Sequence, residues 1–153
     1  MSYPEIVNLA GGRIVFIEGK EENGFKIKAD ELRSRITPKT KAIILNNPSN
    51  QTGSVYTEKE LEALADVILS QQDLYVIADE IYGKLIYDEF KFKSFASLTQ
   101  EIKKRTIIID GVSKSYAMTG WRIGYAVGPK EIINGIKKIQ SHSTSNPCSI
   151  AQI

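Results

Sequence analysis

Short apolar runs separated by helix-like segments are the feature that most restricts the fold of this chain. Five such runs are present: RIVFI at 13–17, KAIIL at 41–45, LYVIA at 74–78, TIIID at 106–110 and IGYAV at 123–127. The middle runs are continuous rather than alternating, which is typical of strands buried on both faces of a parallel or mixed sheet. The succession of strand, helix and strand predicts an α/β fold, a three-layer α/β/α sandwich with a mostly parallel central sheet.

Three further segments have helical patterning: 29–36, 57–71 and 129–140. Thr57 and Glu60 have the spacing of a capping box, and apolar residues then recur on one face of the segment. Pro129 is placed for the first turn of the last helix. The first helix is expected to end near Thr37, because the residue before a proline disfavours the helical conformation.

Composition bounds the class of protein. At 153 residues the chain suffices for one domain with a real core, and its 42% hydrophobic and 25% charged residues are ordinary for a soluble globular protein. No apolar run is long enough to cross a membrane, and no secretory signal is visible, so a cytoplasmic location is predicted. The net charge of +2 is small and the lysines are scattered, which predicts no nucleic-acid or membrane partner.

A metal site is not predicted, because the chain has one cysteine, Cys148, and one histidine, His142. This pair rules out an internal disulfide and a Cys/His zinc cluster. A catalytic Cys–His pair stays conceivable, although both residues lie in the polar tail SHSTSNPC, where nothing organises them.

Parts of the sequence resemble two nucleotide-binding motifs without matching either of them. LYVIADE resembles a strand that ends in an Mg²⁺-binding acidic pair, and GVSKS resembles the end of a phosphate-binding loop. That loop needs glycine directly before its lysine, whereas Ser113 precedes Lys114 here. The glycines at 120, 124 and 128 recur every fourth residue, which is not the dinucleotide-binding spacing. Both functions are therefore disfavoured.

Three polar stretches directly follow apolar runs: NNPSNQTG at 46–53, DEIY at 79–82 and DGVSKSYAMTGWRIG at 110–124. In open α/β sheets, ligands bind beyond the carboxyl ends of the strands. Together the stretches offer amides, a carboxylate, a phenol, an amine and a guanidinium. The sequence therefore predicts one site built from all three.

In this order and spacing, the three stretches resemble the aspartate aminotransferase family of fold type I pyridoxal-phosphate enzymes, and MTGWRIGY is similar to its bacterial and archaeal branch. The resemblance covers essentially the whole chain. It implies pyridoxal 5′-phosphate as cofactor, amino-acid and 2-oxo-acid substrates between which an amino group moves, and a homodimer of the full-length parent. A lyase or decarboxylase on the same scaffold, or a non-catalytic folding or interaction module, stays open.

The resemblance also implies roles for single residues. Lys114 matches the lysine that holds the cofactor aldehyde as an imine and then acts as a base. Asp79 matches the aspartate that keeps the pyridine nitrogen protonated. Tyr82 and Asn50 match the pair that binds the phenolic oxygen of the cofactor, and Asn50 is also placed to contact the substrate carboxylate.

The phosphate of the cofactor is assigned two residues by the same resemblance. Arg122 matches an arginine whose planar donors bind it. Ser113 is a weaker candidate, because some relatives use a serine three positions before the lysine, where this chain has Gly111.

Family members are much longer, so residues 1–153 resemble a fragment of the cofactor-binding large domain, without the N-terminal segment and the C-terminal small domain. Both ends look cut, with a loop-like SYPE at the start. We expect the fragment alone to be inactive and to bind cofactor weakly.

Gln51 departs from the family pattern, because relatives usually have proline there, often after a cis peptide bond. A cis bond before a residue other than proline costs roughly 3 kcal/mol. We therefore predict a trans Asn50–Gln51 bond, with Asn50 displaced from its family position.

Overall fold

The structure is a computed structural model that describes residues 3–152. Its helices and strands, in chain order, are α1 (Tyr3–Leu9), α2 (Ala29–Arg35), β1 (Ala42–Asn46), α3 (Glu58–Leu69), β2 (Tyr75–Asp79), α4 (Gln100–Lys103), β3 (Thr106–Gly111), α5 (Val112–Ser115), β4 (Gly124–Val127) and α6 (Lys130–Ser143). Short 3₁₀ helices lie at Glu21–Asn23, Phe95–Ser97, Thr119–Trp121 and Ser149–Gln152.

The four strands form one sheet in the order β1-β2-β3-β4. The first three strands are parallel, and β4 runs antiparallel to β3. This mixed, mostly parallel sheet with flanking helices confirms the predicted α/β class. In the register, Asn46 pairs with Asp79, and Gly111 pairs with Gly124. The carboxyl ends of β1, β2 and β3 therefore share one edge of the sheet with the start of β4.

The strand prediction is confirmed for four of the five apolar runs and is wrong for residues 13–17, which adopt no regular structure. Val15 and Phe16 in this segment are largely exposed. A strand is stable only when a neighbour accepts and donates its backbone hydrogen bonds. Within residues 3–152 no strand pairs with this segment, so its apolar sequence alone does not make it a strand.

Helix α3 confirms the most detailed sequence prediction. The Thr57 hydroxyl accepts a hydrogen bond from the Glu60 backbone N–H at 3.3 Å, and the Glu60 carboxylate accepts one from the Thr57 N–H at 2.7 Å. The buried face of α3 packs into the main core together with residues of α2, β2 and α4. Its buried residues are Leu61, Leu64, Ala65, Val67 and Ile68.

The other helices show where local signals suffice and where they do not. Helix α2 ends at Arg35, as predicted from the following Thr-Pro pair. Pro129 is the residue that precedes the first turn of α6, which is one position earlier than predicted. Tyr3 and the two residues after it begin α1 and are not a loop, which corrects the expectation for SYPE, whose Ser2 lies outside the described residues.

Coverage of the sheet is uneven between its two faces. Val76 and Ala78 of β2 point into the core under α3, whereas Tyr75 of the same strand is exposed. Helix α6 has an apolar side but no buried residue. The expected burial on both faces is met at the start of β3, where the successive residues Thr106 and Ile107 are both buried, whereas β2 is fully buried on one face only. No helix among residues 3–152 has the length and apolar content needed to cross a membrane.

Candidate active site

The predicted site residues lie along one edge of the sheet. Asn50 follows β1, Asp79 is the last residue of β2 and Tyr82 comes three positions later, while Lys114 lies in α5 directly after β3. Because these strands are parallel, their carboxyl ends bring the four residues to the same edge. The topology therefore assembles the three polar stretches as expected.

Arg122 reaches this edge from the antiparallel strand. It lies two residues before Gly124, which pairs with Gly111 at the end of β3. The 3₁₀ helix Thr119–Trp121 just before it packs against α5, the helix that carries Ser113 and Lys114. Arg122 has a left-handed backbone with φ of +54°, and its Nη1 donates to the Thr119 carbonyl at 2.9 Å. A left-handed backbone at a residue other than glycine is strained, a feature that is concentrated at functional sites.

The Lys114 amine and the Tyr82 ring are neighbours. Lys114 is exposed, and its Nζ lies 5.7 Å from the centroid of the Tyr82 ring. This distance is within the range of a cation–π interaction. The structure thus brings together the predicted covalent anchor and one of the predicted ligands of the cofactor's phenolic oxygen.

The Asp79 carboxylate is held by two donors. Its Oδ1 accepts a hydrogen bond from the Ile81 backbone N–H at 3.3 Å, and its Oδ2 accepts one from the Tyr3 hydroxyl. Burial raises the pKa of the Tyr3 phenol well above its usual range, and the hydrogen bond to Asp79 raises this pKa further. Tyr3 therefore remains a hydrogen-bond donor at any physiological pH.

Asn50 is positioned through Asn46. The Asn46 side-chain amide donates to the Asp79 carbonyl at 3.1 Å, and its Oδ1 accepts from the Asn50 backbone N–H at 3.1 Å. The buried Asn47 shapes the same turn, since its Oδ1 accepts from the Tyr56 N–H at 3.0 Å. These contacts give the clustered amides of NNPSNQTG a positional role.

The peptide-bond prediction for this loop is confirmed. Among the described residues, the cis peptide bond is Asn47–Pro48, and Asn50–Gln51 is trans. Whether the Asn50 side chain departs from its family position stays a prediction.

Gly111 has a steric reason to lack a side chain. A Cβ built there would lie 2.7 Å from the Ile123 carbonyl oxygen, which is closer than real Cβ atoms approach. A serine at this position, as in some relatives, therefore does not fit the present backbone. Ser113, half-buried in α5, stays the predicted serine ligand of the phosphate.

Glu80, next to Asp79, belongs to the core rather than to the site. Its carboxylate is buried, and Oε1 accepts hydrogen bonds from the Ser94 hydroxyl at 3.0 Å and the Phe95 backbone N–H at 2.9 Å. Burial raises the pKa of Glu80, although these two hydrogen bonds lower it in part. Of the two adjacent acidic residues, Asp79 therefore belongs to the candidate site and Glu80 stabilises the core.

Sequence reasoning assigned no role to Tyr3, and it included Asn46 only as the first residue of the polar stretch 46–53. Tyr3 is 76 residues from Asp79 along the chain, so no local pattern indicates their contact. For Asn46 a signal existed, because an asparagine at the end of a strand and four residues before another asparagine is well placed to bond the intervening turn.

The donor set fits pyridoxal 5′-phosphate. The edge of the sheet offers an amine for an aldehyde, a carboxylate for a pyridine nitrogen, a phenol and an amide for a phenolic oxygen, and a guanidinium for a phosphate. Residues 3–152 contain no group of three or more His, Cys, Asp or Glu side chains arranged to hold a metal ion.

Comparison with known proteins agrees with this chemistry. The family model for aminotransferase class I and II matches residues 1–153. The chain is 56% identical over 152 residues to the aspartate aminotransferase of Bacillus subtilis, covering 99% of this chain and 38% of that one. It is 48% identical over 152 residues to the aspartate/prephenate aminotransferase of Cereibacter sphaeroides, with the same coverage.

Solved structures give the same result. The aspartate aminotransferase of Rhizobium meliloti superimposes with a TM-score of 0.96 at 42% identity, covering 99% of this chain and 38% of that one. The aromatic aminotransferase of Pyrococcus horikoshii gives a TM-score of 0.94 at 43% identity, with coverage of 99% and 40%. The chain thus spans about two fifths of the length of the relatives it matches. From its motifs, its fold and this match over its entire length, the chain belongs to the class I and II aminotransferase family.

Proposed function

We propose that these 153 residues are the cofactor-binding part of the large domain of a longer pyridoxal-phosphate-dependent aminotransferase. The observation that carries the proposal is the Lys114 amine 5.7 Å from the Tyr82 ring, on the strand edge that ends in Asp79. An exposed amine beside a phenol, at an end of the sheet that also carries a carboxylate, offers the groups that an aldehyde-bearing pyridine cofactor requires.

In this proposal each side chain acts on a different part of the cofactor. Lys114 would bind the aldehyde carbon and, once displaced by the substrate amine, would carry protons at its Nζ. Asp79 would hold the proton on the pyridine nitrogen, and Tyr82 and Asn50 would donate hydrogen bonds to the phenolic oxygen. Arg122 and Ser113 would bind the phosphate. When bound, the cofactor supplies the electron-withdrawing ring that makes a substrate Cα–H bond acidic.

The substrates are proposed as an amino acid and a 2-oxo acid. The names of the relatives support this class, but they differ among aspartate, aspartate/prephenate and aromatic aminotransferases. We therefore propose the reaction type and an aspartate-aminotransferase-like enzyme, without choosing among the side chains.

The length ratio supports a further part of the proposal. Because the chain spans 38% of the length of its relatives, we propose that transamination belongs to the longer parent and that the chain alone binds the cofactor weakly. We also propose a homodimeric parent, in which Asn50 contacts the substrate carboxylate. A cytoplasmic location, which suits the free, exposed Cys148, is part of the same proposal.

A half-reaction assay on the longer parent tests the reaction type. The protein loaded with pyridoxal phosphate is mixed with aspartate in the absence of a 2-oxo acid, and the products are quantified. We expect one equivalent of 2-oxo acid and one of aminated cofactor per site. Lys114→Ala should abolish both products, whereas Lys39→Ala, at an exposed turn, should not. Release of CO₂ or ammonia with the aldehyde form of the cofactor retained would instead identify a decarboxylase or lyase.

A further inference from the structure

The contact between Tyr3 and Asp79 is not explained by apolar packing. Helix α1 contains no buried residue, yet the Tyr3 hydroxyl donates directly to Asp79 Oδ2 across 76 residues of chain. The burial of apolar side chains of α1 therefore does not account for the position of Tyr3. The hydrogen bond to Asp79 does, so we expect its effect at the Asp79 carboxylate.

The geometry leaves Asp79 free to accept a further donor. Its Oδ1 has the Ile81 N–H at 3.3 Å and its Oδ2 has the Tyr3 hydroxyl, whereas each carboxylate oxygen has two lone pairs. Tyr3 and a cofactor nitrogen can therefore share this carboxylate. Asp79 ends β2 at the end of the sheet that also carries Tyr82 and Lys114, so the Tyr3 hydroxyl reaches the site of the predicted cofactor ligands.

We propose that Tyr3 is a positioning residue that orients the Asp79 carboxylate and sets how much negative charge Asp79 presents to the pyridine nitrogen of the cofactor. This inference rests on the proposed function. The donated hydrogen bond fixes the carboxylate plane and withdraws charge from Oδ2. Because the phenol keeps its proton, the effect is permanent rather than switched by pH.

A cofactor-free titration tests the contact itself. The ionisation of the tyrosines of this chain is followed by ultraviolet absorbance in the wild type, Tyr3→Phe and Asp79→Asn. Burial also raises the pKa of Tyr56, and a hydrogen bond to Asp110 raises the pKa of Tyr125, so the Tyr3 phenol is identified as the raised-pKa group that disappears in Tyr3→Phe. The pKa of this group should shift downward in Asp79→Asn. An unchanged titration in Asp79→Asn would overturn the contact and with it the inference.

A pH titration with bound cofactor tests the effect of Tyr3 on the charge that Asp79 presents to the ring. The chain is incubated with millimolar pyridoxal phosphate, and the induced circular dichroism of the cofactor band, which free cofactor lacks, is followed against cofactor concentration and pH. In Tyr3→Phe the full charge of Asp79 faces the ring, so protonated forms of the cofactor are favoured and the midpoint of the pH titration moves upward. The greater charge of Asp79 and the lost orientation of its carboxylate act on the affinity in opposite directions, so the midpoint of the pH titration is the diagnostic quantity.

Tyr87→Phe is the matched control, because Tyr87 is 77% exposed. Tyr87→Phe should behave as the wild type. If Tyr3→Phe gives the same midpoint as Tyr87→Phe, the inference is wrong while the proposed function stands. If the wild type shows no induced signal, the proposed function fails, and the role of Tyr3 fails with it. The cofactor-free titration still reports whether the Tyr3–Asp79 contact exists, so the two failures are distinguishable.

Discussion

Asn46 and Asp79, paired in the register of β1 and β2, are also joined by a hydrogen bond from the Asn46 side-chain amide to the Asp79 carbonyl at 3.1 Å. The same side chain accepts the Asn50 N–H. One amide thus connects the ends of two parallel strands to the loop that carries a predicted cofactor ligand. The position of Asn50 therefore depends on Asn46.

Substitution of Asn46 should loosen the Asn50 loop. In Asn46→Ala, the Asn50 N–H loses its acceptor, and its hydrogen exchange should accelerate by roughly fivefold or more, in line with the loss of one hydrogen bond. Asn46→Asp keeps an oxygen in the same place and should retain most of the protection. Equal exchange rates in the Ala and Asp variants would contradict the role of this side chain.

Glu80 should stabilise the fold rather than the site. Glu80→Ala leaves the Phe95 N–H and the Ser94 hydroxyl without their acceptor in a region where Glu80 is only 7% exposed. We expect a loss of about 1–3 kcal/mol in the free energy of unfolding, measured by urea denaturation. Glu80→Gln keeps one acceptor oxygen and should lose less, and Glu62→Ala, on an exposed position of α3, should change little. A stability of Glu80→Ala equal to that of Glu62→Ala would refute the structural assignment.

Glu60 should make the free energy of unfolding depend on pH. Burial alone would raise the pKa of Glu60, but hydrogen bonds from Lys26 and Thr57 outweigh it and lower the pKa below its ordinary 4.5. The ionised carboxylate therefore adds stability above about pH 4.5, and this contribution is lost as the pH falls through the lowered pKa. When denaturation is measured from pH 6 to about pH 3, the free energy of unfolding should fall less steeply in Glu60→Gln than in the wild type. If the free energy of unfolding depends on pH identically in Glu60→Gln and the wild type, the stabilising role of the ionised Glu60 is contradicted.

Two glycines should respond to alanine in opposite ways. Gly111→Ala places a Cβ 2.7 Å from the Ile123 carbonyl oxygen and should destabilise the fold by about 1–3 kcal/mol. Gly135 lies inside α6 with nothing within 4 Å of an added Cβ, so Gly135→Ala should stabilise by up to about 1 kcal/mol. Thermal denaturation of both variants measures this difference. Similar shifts in the same direction would show that the backbone around Gly111 adapts.

The sequence predicted those parts of the structure that depend on local chemistry. The Thr57–Glu60 cap and the apolar face of α3 act within one helix, so their spacing is enough to locate it. The segment at 13–17 has the same apolar character as the true strands, but a strand depends on a partner that its own residues do not specify. The contact of Tyr3 with Asp79 depends on the whole topology. The roles of Lys114, Asp79 and Arg122 came from family resemblance, because spacing alone does not identify a cofactor.

Covalent trapping tests the central claim most directly. The chain is incubated with pyridoxal phosphate, reduced with borohydride, digested and mapped by mass spectrometry, with Lys114→Ala and the exposed-site control Lys39→Ala in parallel. We predict that millimolar cofactor labels Lys114 selectively, that Lys39→Ala is labelled equally at Lys114, and that micromolar cofactor gives little stable label. Stable labelling of Lys114 at micromolar cofactor would contradict the proposed weak binding. No label, or label spread evenly over exposed lysines, would contradict the site itself.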